Sequence, residues 1–210
     1  VSGYDLCQYY LFLKRHINKF NNLKQVILVI CTHNDLIGTG ANFDNGKKKP
    51  LFVVRNNNLL LANNSINEHC LRNLFSRSCF LGMSWPRNVI GDILSKIAGD
   101  KVLSRREVEE VSLVLLQKIF ELVLSHNAEL LVVLNPSKED FTAKSFSLDY
   151  FEYIFNKLRF KGINYIDYMI ILKKEDQKEL NTFYLDDGHY NKKGNMFFAK
   201  TVYQHLQKEL

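Results

Sequence analysis

The sequence predicts an α/β fold in which a parallel sheet is covered by helices on both faces. Short, continuous apolar runs recur along the 210 residues, as is typical of strands that are buried on both faces. Stretches with apolar residues at helical spacing separate these runs. Strands that alternate with helices favour parallel pairing through right-handed crossovers, because each crossover carries its helix across a face of the sheet.

The first two elements are a helix and a buried strand. Apolar residues recur at helical spacing from Asp5 to Phe20, which predicts a helix that begins just after Gly3. The unbroken run from Val26 to Cys31 is rich in β-branched residues and too short for a helix, so it predicts a parallel strand. Asn34 then lies just beyond the carboxyl end of that strand.

The sequence indicates a single domain over residues 1–210. After the first strand, this domain contains an enlarged segment at about residues 36–100. Within it, Leu51–Val54 and Leu59–Leu61 flank an Asn-rich turn and predict a β-hairpin. Ser104 and Glu107 then form a capping box, and an apolar stripe from Val108 to Leu122 extends the helix that it begins.

The alternation continues to the C-terminus. The remaining predicted elements are a strand at Leu130–Leu134, a helix at Leu148–Leu158, a strand at Ile163–Ile166 and a final helix. The inner face of that final helix is predicted to consist of Met196, Ala199, Val202 and Leu206. In such sheets ligands bind at the carboxyl ends of the strands.

Composition excludes several classes of function. The 28 Lys and Arg exceed the 22 Asp and Glu by six, but they are scattered, which favours a solvated surface over a nucleic-acid-binding patch. The four cysteines form no Cys-x-x-Cys pair, so free thiols are expected rather than a zinc site. No apolar run approaches the ~20 residues that cross a bilayer, so no membrane-spanning segment is predicted. The composition leaves the cellular compartment open.

Residues 186–194 carry the most specific chemical pattern, Asp-Asp-Gly-His-Tyr-Asn-Lys-Lys-Gly. Asp186 stands three residues before His189 at the entrance to the final helix. A carboxylate that holds one imidazole nitrogen leaves the other free to take a proton from a nucleophile. Two upstream segments accompany this pattern: Gly3 in Val-Ser-Gly-Tyr-Asp, and Asn34 in Thr-His-Asn-Asp after the first strand.

Together these segments resemble the second, third and fifth conserved blocks of the SGNH (GDSL-type) hydrolases. The resemblance extends from Gly3 to the C-terminus. It implies a three-layer α/β/α sandwich with a parallel, flavodoxin-like sheet. The family's first block, a Gly-Asp-Ser that carries the nucleophile, does not occur in these 210 residues. Thr32 also stands where the family usually has Gly.

The resemblance implies a serine-dependent acyl-ester hydrolase, of the esterase, lipase or deacetylase type, or an acyltransferase. By this resemblance, His189 is the general base and Asp186 orients its imidazole ring. Gly3 and Asn34 are the residues that donate hydrogen bonds in the oxyanion hole. No metal or organic cofactor is implied. The substrates implied are small, lipid or O-acylated sugar esters. The nucleophilic Ser, with the first strand, first helix and second strand, is then expected upstream of Val1, so that Val26–Cys31 lacks a partner on one side.

Other interpretations compete with this one. Asp187 is a second candidate for the orienting carboxylate, although the family's spacing favours Asp186. Asn34 could be only a turn residue. A metal-dependent phosphoesterase could use Asp186, His189, Asn34 and Asp35 as ligands. A catalytically inactive, SGNH-like binding module is the fourth possibility, because the nucleophile is missing from the sequence.

Overall fold

The computed structural model describes residues 4–31, 35–36, 38–44, 47–56, 58–62, 102–138, 140, 154, 156–157 and 161–209. Its main sheet has three parallel strands, β1 (Gln25–Cys31), β6 (Glu129–Asn135) and β7 (Asn164–Asp167), in the order β1-β6-β7. β1 and β6 pair along their whole lengths, and their last residues, Cys31 and Asn135, are partners. The carboxyl ends of these two strands therefore lie side by side.

Two small antiparallel pairs accompany the main sheet. These are β2 (Phe43–Asp44) with β3 (Lys47–Lys48), and β4 (Phe52–Arg55) with β5 (Asn58–Leu61). The second pair is the predicted hairpin, and Asn56 in its turn adopts a positive φ of 50°, a conformation that Asn tolerates better than most residues.

Five α-helices have both their ends within the described residues. They are α1 (Leu6–His16), α2 (Arg105–Leu124), α3 (Tyr168–Leu172), α4 (Gln177–Asn181) and α5 (Lys192–Glu209). A 3₁₀ turn, Ile17–Lys19, extends α1. A capping box begins each of the helices α1 and α2. It consists of Asp5 with Gln8 at α1, and of Ser104 with Glu107 at α2. Each box satisfies backbone N–H groups that have no partner within the helix.

The core has two parts, one on each face of β6. Alternate side chains of a strand point to opposite faces. Leu130, Val132 and Leu134 accordingly belong to a cluster with residues of α1 and α2, whereas Leu131 and Val133 belong to a cluster with residues of α3 and α5. Helices thus pack on both faces of the sheet, which confirms the predicted α/β class.

The predicted strands and the two long helices before β6 are confirmed, with shifts of one or two residues at their ends. Of the predicted helix at Leu148–Leu158, the described residues 154, 156 and 157 are helical, and the rest lie outside the described residues. Much of the enlarged segment at 36–100 also lies outside them. Within the described residues β1 pairs only with β6.

The predicted inner face of α5 is wrong in its first half. Met196 is 63% exposed and Ala199 is exposed as well. The inner face is instead formed by Phe197, Phe198, Val202 and Leu206. The two phenylalanines pack against Tyr168 and Phe183, with ring centroids 5.0 to 6.3 Å apart. The larger aromatic area that they bury determines which side of the helix faces the sheet.

Candidate active site

The segment that carries Asp186 and His189 is a tight turn just before α5. Leu185 N–H donates to the His189 carbonyl at 2.7 Å, and Gly188 N–H donates to the Leu185 carbonyl at 3.1 Å. Gly188 has a φ of 84°, in the left-handed region that favours glycine. A bridge between Tyr184 and Tyr190 closes the base of the turn. The backbone of His189 is therefore held on both sides.

The neighbouring residue fixes this turn to the main sheet. The Tyr190 hydroxyl donates to Asn135 Oδ1 at 2.9 Å, and Asn135 is the last residue of β6. The Tyr190 ring also lies 4.8 Å from the Tyr184 ring. Since Asn135 is paired with Cys31, the turn is anchored at the end of the sheet from which the chain continues to Asn34.

Asn191 and Gly194, the other residues of the motif, have structural roles at the start of α5. Asn191 Oδ1 accepts hydrogen bonds from the backbone N–H groups of Lys193 and Gly194, at 2.9 and 3.1 Å. Its Nδ2 donates to the Thr182 carbonyl at 2.7 Å. A Cβ atom on Gly194 would lie 2.4 Å from the Phe183 carbonyl oxygen. Only glycine therefore allows α5 to approach the turn this closely.

His189 itself is largely exposed, and its carboxylate partner is Asp187. The His189 side chain is 78% exposed, and its Nδ1 lies 3.2 Å from Asp187 Oδ1. The same oxygen accepts the His189 backbone N–H at 3.1 Å. These hydrogen bonds, the backbone one first, lower the pKa of Asp187.

The structure does not show the expected contact between Asp186 and His189. The carboxylate at the His189 ring is that of Asp187, and the part of the chain that the structure describes shows no salt-bridge distance between Asp186 and that ring. The physical reason is local, because an Asp side chain readily folds back onto the N–H two residues later. The catalytic role of either carboxylate stays a prediction.

The two predicted oxyanion donors, Gly3 and Asn34, lie outside the described residues. Only their places along the chain can be given. Gly3 comes two residues before Asp5, the N-cap of α1. Asn34 comes between Cys31, which ends β1, and Asp35.

A buried acid that the sequence interpretation had named only as a possible metal ligand lies directly after Asn34. Asp35 is 6% exposed, and its Oδ2 accepts the Cys31 backbone N–H at 2.8 Å and the Tyr9 hydroxyl at 3.1 Å. Burial raises the pKa of Asp35 to about 6, although the two hydrogen bonds act in the opposite direction. One feature of the sequence could have indicated this acid. Tyr9 belongs to the apolar stripe of α1, and a tyrosine hydroxyl that is buried needs a hydrogen-bond partner.

A buried ion pair lies beside this acid. Lys49 Nζ contacts Asp5 Oδ2 at 2.7 Å, and the two side chains are 9% and 4% exposed. Lys49 Nζ also donates to the Gly38 carbonyl. The start of α1 is thus joined to the segment that follows β1.

The described residues bring together no ligand set for the metal-dependent phosphoesterase alternative. They contain no group of three or more His, Cys, Asp or Glu side chains that could hold a metal ion. A cavity of about 560 Å³ lies along the outer side of α2, where Arg106, Glu110 and Lys161 contribute to its lining, and it contains none of the predicted site residues. Among the helices described, none is long and apolar enough to cross a membrane.

Comparison with known proteins provides no relative from which to infer function. No family model, no curated protein and no solved structure matches the chain.

Proposed function

We propose that this chain is part of a serine-dependent acyl-ester hydrolase, or of an acyltransferase, in which residues upstream of Val1 supply the nucleophilic serine. The observation that carries the proposal is the anchored turn before α5. Through the Tyr190–Asn135 hydrogen bond of 2.9 Å, His189 is held close to the carboxyl end of a parallel sheet, where α/β proteins bind their ligands. The sequence resemblance to SGNH hydrolases supplies the reaction class, and also the finer proposal of a flavodoxin-like α/β/α sandwich.

In the proposed mechanism His189 acts first as a general base and then as a general acid. With Nδ1 facing a carboxylate, Nε2 is the nitrogen that takes the proton from the serine hydroxyl as its oxygen attacks the ester carbonyl. The tetrahedral intermediate collapses to a serine ester, and His189 returns the proton to the departing alcohol. Water, or an acceptor alcohol in a transferase, then attacks the serine ester by the same steps in reverse.

Stabilisation of the tetrahedral oxyanion is assigned to Gly3 and Asn34. The Gly3 backbone N–H and the Asn34 side-chain amide would donate to the negative oxygen. Removal of one such donor typically lowers kcat by ~100 to 1,000-fold. No cofactor enters these steps. The substrate is proposed to be a small, lipid or O-acylated sugar ester.

The orienting carboxylate is the part of the proposal that a single pair of variants can decide. The family's spacing assigns this role to Asp186, whereas the 3.2 Å contact with His189 Nδ1 favours Asp187. Asp186→Asn and Asp187→Asn are matched changes at neighbouring, exposed positions. The variant that changes the carboxylate that orients His189 should have a kcat lower by up to ~10⁴-fold, because an amide stabilises the wrong tautomer of the imidazole. The other variant should retain most of the wild-type kcat.

The experiment is hydrolysis of short-chain acyl esters by the longer protein that includes the residues upstream of Val1. We expect turnover in the wild type, near-complete loss in His189→Ala, and no effect of chelators. Turnover that a chelator abolished and added divalent metal restored would favour the phosphoesterase alternative. Unimpaired turnover in His189→Ala would rule out the proposed base.

One observation keeps a non-catalytic binding module as the second candidate. The His189 side chain is 78% exposed, and the 210 residues contain no Gly-Asp-Ser block to supply a nucleophile. A serine-reactive phosphonate distinguishes the two functions, because it labels an activated serine whatever the natural ester is. Binding of acylated sugars by the longer protein, without labelling or turnover, would support the binding module.

A further inference from the structure

Two kinds of hydrogen bond hold the turn that carries His189. The first kind is local and joins residues that are close in the sequence, as where the Asn191 N–H donates to the Phe183 carbonyl at 2.9 Å. The second is the bond of 2.9 Å from the Tyr190 hydroxyl to Asn135 Oδ1, on a strand much earlier in the chain. Local bonds fix the shape of the turn, whereas the bond to Asn135 fixes where the turn lies on the main sheet.

Asn135 is held in a rigid part of the molecule. It is the last residue of β6, the strand that lies between β1 and β7 in the main sheet. The five residues before it are all buried, and Asn135 itself is paired with Cys31 at the end of β1. The Tyr190 hydroxyl is therefore bonded to a point that moves little relative to the sheet.

The Tyr190 hydroxyl remains a donor over a wide range of pH. Burial, and next the neighbouring Tyr184, raise the pKa of Tyr190 far above the usual value of about 10. The Tyr190 ring packs against the rings of Tyr184 and Phe198, with centroids 4.8 and 6.4 Å apart. The bond to Asn135 is thus independent of pH under the conditions in which esters are hydrolysed.

His189 depends on its turn for its location. Its side chain is 78% exposed, so little packing surrounds the imidazole ring. A general base must lie within about 2.6 to 3.2 Å of the group whose proton it takes, and a displacement of about 1 Å can reduce a rate by about 100-fold. Whatever fixes the turn relative to the sheet therefore fixes the base as well.

We propose that Tyr190, through its hydrogen bond to Asn135, is a positioning residue that holds His189 in its working place at the carboxyl end of the main sheet. Neither Tyr190 nor Asn135 touches the substrate in this assignment. The carboxylate partner orients the imidazole ring, and Tyr190 places the turn that carries the ring. This role rests on the proposed function as an acyl-ester hydrolase or acyltransferase.

The first test measures kinetics in the longer protein that includes the upstream residues. Tyr190→Phe removes only the hydroxyl, and Asn135→Leu removes its acceptor with little change in volume. Each should lower kcat for a short-chain acyl ester by between about 10 and 100-fold, with KM unchanged, because His189 acts in the chemical steps. The double variant should lose no more than the larger single effect, because both changes break the same contact.

Two matched controls separate positioning from a general loss of stability. Tyr184→Phe keeps the paired ring and removes a hydroxyl that lies 3.4 Å from the Tyr190 hydroxyl, which is longer than an ordinary O–H···O bond. Asn135→Asp keeps an oxygen that can accept from Tyr190. Both should retain most of the wild-type kcat. Wild-type kcat in Tyr190→Phe, or a loss of kcat that follows the fall in Tm across the variants, would overturn the proposal.

A second test asks whether Tyr190 acts through His189. Residual turnover is expected in His189→Ala, because the oxyanion donors and substrate binding remain. Adding Tyr190→Phe to His189→Ala should cause no further loss, since the base that Tyr190 positions is already absent. A purely structural role would lower turnover by the same factor in both backgrounds, and that result would overturn the proposal.

A third measurement does not depend on esterase activity. The Leu185 backbone N–H donates to the His189 carbonyl within the turn. In the longer protein, its hydrogen exchange should be faster in Tyr190→Phe than in Tyr184→Phe, whereas exchange at Leu131 in β6 should be the same in both. Equal exchange at Leu185 would overturn the positioning role.

Failure of the proposed function gives a different result from failure of the positioning role. If the longer wild-type protein neither hydrolyses esters nor reacts with the phosphonate, the proposed function fails, and the role of Tyr190 in catalysis fails with it. An active wild type with an unaffected Tyr190→Phe overturns the positioning role alone.

Discussion

At Asp35, burial and hydrogen bonding act on ionisation in opposite directions, and burial has the larger effect. The side chain is 6% exposed, and the pKa rises to about 6 despite the hydrogen bonds from Cys31 and Tyr9. The nearby Asp5 carboxylate also raises this pKa. In an unfolded chain the same acid would ionise near pH 4. The folded state therefore favours the protonated acid.

This shift predicts how stability depends on pH. The contribution of Asp35 to the free energy of unfolding is fully present below about pH 4 and is lost as the pH rises through about 6. A shift of about two pKa units corresponds to roughly 3 kcal/mol. Urea titrations of wild type and Asp35→Asn at pH 4 and pH 7 should show the wild type losing stability relative to the variant by about this amount.

The control for this measurement is Leu131→Val, at a buried residue of β6 that carries no ionisable group. Its difference from wild type should be the same at both pH values. A wild-type stability that rose relative to Asp35→Asn between pH 4 and 7 would mean that the folded state favours the ionised acid, in contradiction to the argument from burial.

Single residues were the least predictable part of the site from the sequence. The location of His189 followed from motif spacing and from the rule that ligands bind at the carboxyl ends of strands. Its contact with Asp187 did not, because the direction of an exposed carboxylate depends on the rotamer that a turn allows. The burial of Asp35 and its hydrogen bond with Tyr9 did not follow either, since the two residues are 26 positions apart in the sequence.

At the scale of elements, the start of α5 is determined by how closely the helix approaches the preceding turn. A Cβ atom on Gly194 would lie 2.4 Å from the Phe183 carbonyl oxygen and 2.8 Å from the Tyr190 ring. Backbone cannot move aside as a flexible side chain can. Helix propensity alone would favour alanine over glycine by about 1 kcal/mol, so crowding and propensity predict opposite effects for the same change.

Gly194→Ala should therefore destabilise the protein by about 2 kcal/mol, because overpacking of about 3 kcal/mol outweighs the gain in helix propensity. Thermal unfolding checks the sign. Gly162→Ala is the matched control: Gly162 has a φ of 69° but no atom within 4 Å of the added Cβ. It should cost only about 1 kcal/mol, through backbone strain. Stabilisation by Gly194→Ala would show that the crowding is relieved at no cost.

The sequence predicted elements better than it predicted their orientation. Strands such as β6 were evident because continuous apolar runs have few alternative structures. The inner face of α5 was ambiguous, since Met196 and Phe197 both belong to plausible helical stripes that differ by about 100° of rotation. Packing against α3 and the turn before α5 determines which stripe faces inward. These contacts involve residues outside α5, so the sequence of the helix itself does not predict them.

At the scale of the whole molecule, β1 leaves one edge of the main sheet without a partner among the described strands. Ile27, in the middle of this strand, is 43% exposed. An apolar strand with an open row of backbone N–H and C=O groups readily pairs with another chain. The proposed upstream strands would cover this edge and bring the serine to the carboxyl end of the sheet.

The 210-residue chain expressed alone is therefore expected to associate and to show no ester hydrolysis. The longer protein should be active and should not associate through this edge. Light scattering and an esterase assay on the two proteins check both expectations, and Ile27→Lys in the short chain should reduce association. A monomeric, fully active short chain would place the nucleophile between Val1 and Leu210.

The hydrogen bond between Tyr190 and Asn135 also has a consequence for biosynthesis. It joins residues 55 positions apart in the chain. During translation β1 and β6 can pair before the turn with His189 leaves the ribosome, since earlier segments fold while later ones are still being made. The turn consequently docks onto a sheet whose first two strands have already formed.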